Sequence, residues 1–100
     1  MVSEIKVGNK FFKSEYDQQL TTNTNYIGEI SYNRCRIKIQ RGLDKQSMNE
    51  TIIHEAVHAM LAFMGEDKIN SDEGSVDRIA NGLMMLVADN PKLFGNVIER

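Results

Sequence analysis

Residues 51–62 read TIIHEAVHAMLA. Apolar side chains surround His54, Glu55 and His58, with Ile52, Ile53, Ala56, Val57, Ala59, Met60, Leu61, Ala62 and Phe63 filling most of the remaining positions. That density predicts a helix buried on most sides. Histidines four residues apart project from consecutive turns of one helix face, so both imidazoles can reach one metal ion. Glu55, one step round, faces the water on that ion. This H-E-x-x-H spacing is that of zinc hydrolases. Polar groups in so apolar a helix need partners, and a metal supplies them. His54 and His58 are also the only histidines of the chain, which leaves no scattered, structural use of histidine elsewhere. The bland alternative is a core histidine pair satisfied by hydrogen bonds alone.

Upstream of the motif, Ser47-Met48-Asn49-Glu50 reads as a capping box, which starts the helix near Met48. Ile53, Val57, Met60, Leu61 and Met64 recur at helical spacing, with Met60 and Met64 as core filler, and Gly65 is the expected stop. Asn70-Ser71-Asp72 offers caps for a second helix over 72–89, with an apolar stripe of Val76, Ile79, Ala80, Leu83 and Val87. Asn90-Pro91 ends it. The tail KLFGNVIER adds at most one helical turn through Leu93, Phe94, Val97 and Ile98, because Gly95 opposes more.

The N-terminal part reads as strands over 3–40. Ile5 and Val7 share one parity, Gly8-Asn9 suits a two-residue turn, and Lys10 to Tyr16 carries Phe12 and Tyr16 on one side and Phe11 on the other. The polar stretch 17–25, DQQLTTNTN, is a loop. A second hairpin follows: Tyr26, Gly28, Ile30 and Tyr32 alternate with Ile27, Glu29 and Ser31, the chain turns at Asn33-Arg34, and Cys35, Ile37 and Ile39 alternate with Arg36, Lys38 and Gln40. The whole is α+β, a single domain over 1–100 in which a small, mainly antiparallel sheet packs on the helix at 48–64 and the second helix. Helix-on-sheet contacts by Ile37, Ile39, Ile53, Val57 and Met60 supply part of the core.

One hundred residues make one domain with a modest core. A formal charge of -2 gives no general attraction for nucleic acid or an anionic membrane. Arg34, Arg36, Lys38 and Arg41 alternate along a strand, where solvation explains them better than a nucleic-acid patch. The single cysteine, Cys35, forms no internal disulfide, and MVSEIKVGNK lacks the apolar run of a signal peptide. With no stretch of membrane-spanning length, these features predict a cytoplasmic protein with no membrane or nucleic-acid partner.

A catalytic zinc takes three protein ligands and keeps a position for water. The chain has no third histidine, and Leu61 and Met64 stand where the metzincin pattern needs Gly and His. Oxygen donors within plausible reach are Glu66, Asp67, Asp72, Glu73 and Asp77. Glu66 and Asp67 lie just beyond the end of the motif helix, too far from the histidines' turns to fold back. Glu73 and Asp77 share one face of the second helix. If that helix packs antiparallel on the first, Glu73 supplies the third ligand and Asp77 accepts the free N–H of a ligand histidine. The competing reading has Glu73 closing a capping box with Asn70, and Asp77 paired with Arg78 or solvent.

ETIIHEAVHAML, DEGSVDRIANGL and DNP together resemble the gluzincins, metallopeptidases with H-E-x-x-H on one helix and a glutamate ligand on the next. The chain is most similar to minimal members encoded by phages and prophages, related in pattern to the ImmA/IrrE-type peptidases. The resemblance covers Glu50 to Pro91. It implies His54, His58 and Glu73 as Zn2+ ligands, Glu55 as general base and Asp77 as the aspartate behind a ligand histidine. It also implies a peptide or protein substrate, paired by strand addition to the strand beside the site, here Cys35 to Gln40. The implied reaction is amide hydrolysis, the ion activating water and polarising the carbonyl while Glu55 carries the proton to the leaving amine. Gluzincins commonly place a His or Tyr downstream of the third ligand to bind the oxyanion. None follows residue 58 here, which leaves Tyr16, Tyr26, Tyr32 and Arg78 as substitutes and keeps a non-hydrolytic zinc-scaffold binding protein in a phage-host contest as the alternative function.

Overall fold

The computed structural model describes residues 4–17 and 27–96. The chain is α+β: four strands in the N-terminal half pack on helices from the C-terminal half. Strand β1 (Glu4–Val7) and β2 (Lys10–Asp17) form the first expected hairpin, with Val7 opposite Lys10. Gly8 turns the corner at φ 63, and a Cβ there would also overlap the ring of Phe63, so two constraints select glycine. Strand β3 (Gly28–Ser31) pairs antiparallel with β4 (Arg36–Gln40), giving the second hairpin. The hairpins join through a parallel β2–β4 pairing, in the order β1-β2-β4-β3. The sheet is thus mainly antiparallel, as anticipated. Residue 3, the loop beyond Asp17, Tyr26, Val97 and Ile98 lie outside the described residues.

Two details of the second hairpin differ from the sequence reading. Cys35 belongs to the turn rather than to the strand, at φ 53 with its Sγ on the carbonyl of Tyr32. More consequentially, β4 is an interior strand with β2 on one side and β3 on the other. Ile37 and Ile39 are completely buried on it. Both its hydrogen-bonding edges are taken, so Cys35 to Gln40 cannot accept an added strand. The edge strand beside His54, Glu55 and His58 is β3.

Helix α1 (Lys45–Met64) begins earlier than Met48. The carboxylate of Asp44 accepts the Ser47 N–H at 2.7 Å, so Asp44 is the N-cap and the Ser47–Glu50 box does not form. Glu50 instead accepts from Gln46 one turn back. The helix stops at Gly65 as expected: φ is 77, and the N–H groups of Gly65 and Glu66 reach the carbonyls of Ala62 and Leu61, the paired bonds of a glycine C-cap. A one-turn helix α2 (Asp67–Asn70), not foreseen, fills the polar connection. Helix α3 (Glu73–Asp89) and α4 (Pro91–Asn96) complete the chain. No helix among the described residues is long and apolar enough to cross a membrane.

Helix α1 is the middle layer, which explains why it is apolar nearly all round. On one side Ile52 and Ala59 meet Phe12, Ile37 and Ile39 of the sheet. On the other, Val57 and Leu61 meet Val76 and Ala80 of α3, flanked by Ile53, Met60, Ile79 and Leu83. Ile53, Val57 and Met60, assigned from sequence to the sheet side, therefore face α3. On a helix apolar everywhere, periodicity carries no preference between two buried faces. Met64 and Val87, read as core, are largely exposed.

Candidate metal centre

His54 and His58 both leave α1 toward the N-terminal turn of α3. Their Nε2 atoms stand 3.0 and 2.9 Å from the two oxygens of Glu73. These three ligand atoms lie within 4.8 Å of one another, the group among the described residues able to hold a metal ion. Zinc ligands at about 2.0–2.1 Å from a tetrahedral ion stand roughly 3.3 Å apart, so the cluster has nearly the required size.

The other ring nitrogens are also occupied. Nδ1 of His54 meets Asp77 Oδ1 at 2.9 Å, and Nδ1 of His58 meets Asn70 Oδ1 at 2.6 Å. Each imidazole thus faces an acceptor at both nitrogens, while a neutral imidazole carries a single N–H. With both rings neutral, four contacts share two hydrogens, and the two contacts left without one fall where both Nε2 lone pairs and a carboxylate converge. One divalent cation at that place serves both. The donor set therefore fits a metal ion, with the Nδ1 hydrogens donated to Asp77 and Asn70 and Nε2 free to ligate.

The sequence placed Asp77 behind a ligand histidine, and the structure brings it to His54. Asn70 was read only as a cap. That task falls to Asp72, which accepts from the Ser75 hydroxyl and the Gly74 N–H, bonds that hold its carboxyl below the usual range. The local signal was an aspartate, Asp72, with Ser75 three residues on, which already caps the helix and releases Asn70. Arg78 donates to Ser75 rather than to Asp77. Replacing Asn70 or Asp77 by Ala is expected to weaken zinc binding about 10–100-fold with the fold retained, the usual cost of losing a partner behind a ligand histidine. Competition with a chromogenic chelator measures it.

Glu55 is buried, on the floor of an open cleft of about 720 Å³ that also exposes both histidines, Glu73 and Asp77. Burial pushes its carboxyl above the usual carboxylate range; His54 and His58 draw it back, and Glu73 and Glu29 add to the rise. Strand β3 forms the cleft's opposite wall, and Gly28 decides how close it comes. A Cβ at Gly28 would overlap Thr51 Cγ2 and lie 3.2 Å from Glu55 Oε2. Gly28→Ala must therefore displace β3 from α1, at about 1–3 kcal/mol for an overpacked site, measurable by denaturant unfolding.

Tyr32, in the turn after β3, lines the cleft and its hydroxyl accepts from Asn70 Nδ2 at 3.3 Å. Tyr16 is elsewhere, its ring under Arg41 and its hydroxyl on Met48. Comparison of the chain with protein-family models, with curated proteins and with solved structures found no match.

Proposed function

We propose that this chain is a small zinc metallopeptidase of the gluzincin kind. The observation that carries the reading is a buried carboxylate, Glu55, that ligates nothing yet opens onto the same cleft as the three converging ligands. A site that only stabilised the fold would gain nothing from a further acid that is costly to bury. Zinc, when bound, lowers the pKa of water and polarises a carbonyl. His54, His58 and Glu73 hold it, with Asp77 and Asn70 fixing the imidazoles. Glu55 takes the proton of the attacking water and delivers it to the leaving amine. The raised affinity of Glu55 for protons suits a group that must both accept and return one.

The substrate lies as an extended strand along the outer edge of β3, with which no strand pairs among the described residues. Glu29 and Glu50 line this cleft, and among the described residues no lysine or arginine does. A basic residue near the scissile bond is therefore favoured. Tyr32 donates to the developing oxyanion. Tyr32→Phe should lower kcat about 10²-fold, the scale of one oxyanion donor, leaving KM and zinc content unchanged. An unaltered kcat removes Tyr32 from this role.

The deciding experiment is metal analysis of the purified protein together with cleavage of a mixed peptide library, before and after chelation. One zinc per chain with chelator-sensitive cleavage supports the peptidase. Stoichiometric zinc without cleavage moves the reading to a binding protein on the same scaffold. Failure to bind zinc at all overturns both.

A further inference from the structure

The edge of the sheet remote from the cleft is β1, and among the described residues nothing pairs with its outer side. Beside it runs an open groove of about 410 Å³, lined by Ile5 and Val7 of β1, Ile53, Met60 and Phe63 of α1 and Leu83 of α3. Among the described residues Lys6 is the one charged residue along it, and its ammonium lies over the exposed Phe11 ring. Phe63, on this rim, is 63% exposed. An unpaired strand edge next to exposed apolar surface is a pairing template that proteins cover or guard.

The strand's own chemistry selects the occupant. In a hairpin closed by two residues the flanking pair, Val7 and Lys10, exchanges both hydrogen bonds, and bonding then alternates along the strand. Val7 and Ile5 accordingly bond to β2, while the N–H and C=O groups of Glu4 and Lys6 point to the free edge. Their side chains lie on the exposed face, and Ile5 and Val7 are half-buried. An antiparallel partner must therefore bond to Glu4 and Lys6, the two residues of β1 with opposite charge. If the partner is β1 itself, a two-fold axis at Ile5 sets Glu4 of each copy against Lys6 of the other. Shifts that keep the bonding parity place Glu4 against Glu4 or Lys6 against Lys6, and like charges directly opposite are unfavourable. One register satisfies the backbone and the charges together.

We propose that this face binds a second copy of the chain by antiparallel β1–β1 pairing centred on Ile5, with Phe63 and the groove covered by the same contact. The paired strands are 4 residues long, so the dimer is of the small, reversible class. Its two clefts lie on the far edges of the continuous sheet and stay open.

Sedimentation of the whole protein from about 1 µM to about 1 mM should show a concentration-dependent dimer. Lys6→Glu should weaken it at least about tenfold by setting like charges opposite at two places. The double change Glu4→Lys with Lys6→Glu should return it to within about threefold, because the exchange is reciprocal. Phe63→Ser should weaken it without touching the strand, and thermal unfolding of each variant checks that the monomer is intact. A wild-type chain monomeric throughout overturns the proposal, as does a dimer indifferent to Lys6→Glu or one that the charge exchange does not restore.

Discussion

Glu55→Gln is expected to keep zinc at one ion per chain while cleavage falls about 10²–10⁴-fold, the range that a positioned general base contributes. Gln preserves the shape of the side chain, and His54, His58 and Glu73, which form the ligand group, are untouched. Metal content and turnover should therefore separate cleanly. Loss of both together would mean that Glu55 is needed to build the site rather than to move a proton. The same variant has a second, activity-independent signature in the metal-free protein. Because burial holds the Glu55 carboxyl above its usual range, the folded chain binds that proton more tightly than the unfolded chain does. The wild type then loses stability as pH rises from the ordinary carboxylate range through the raised value. Gln does not titrate, so metal-free Glu55→Gln should unfold at a higher temperature than wild type at neutral pH. The advantage should vanish in acid, below the ordinary carboxylate range.

Zinc itself should produce the largest change in stability. An ion that binds only the folded chain adds about 4 kcal/mol when present at a thousand times its dissociation constant. For a domain of this size that raises Tm by at least about 15 °C. Glu73→Ala should cut the zinc affinity more than about 100-fold, beyond the cost of losing a partner behind a ligand, and erase most of that rise. The metal-free Tm should hardly move, since Glu73 is 62% exposed and supports no core contact. A zinc-induced rise that persists in Glu73→Ala would place the ion elsewhere. Differential scanning calorimetry with and without zinc distinguishes the two.

How much of this was legible in the sequence varied with the range of the interactions involved. Both hairpins were readable because the pleat makes alternation of period two visible in residues such as Ile37 and Ile39. The end of α1 was readable from Gly65, whose left-handed conformation is a local demand. Its start was misread because Asp44 and Ser47 are both acceptable caps, and which one binds depends on where the chain arrives from β4. Glu73 and Asp77 were suggested by their shared helical face, though nothing local excluded a cap for the one and solvent for the other. Only the approach of α3 to α1 brings them to 3.0 and 2.9 Å from His54.

The sequence by itself determined the α+β class, the helix that carries His54, Glu55 and His58 and the spacing that lets both histidines serve one ion, because each follows from periodicities within a single element. Tertiary structure decided the rest. It made α1 the middle layer, with Ile52 and Ala59 toward the sheet and Val57 and Leu61 toward α3. It closed both edges of β4 and left β3 at the cleft, and it turned Asn70 from a plausible cap into the acceptor for His58. Strand order and contacts between elements are set by how separate apolar faces share one core, and a pattern that repeats within one element carries no record of its neighbour.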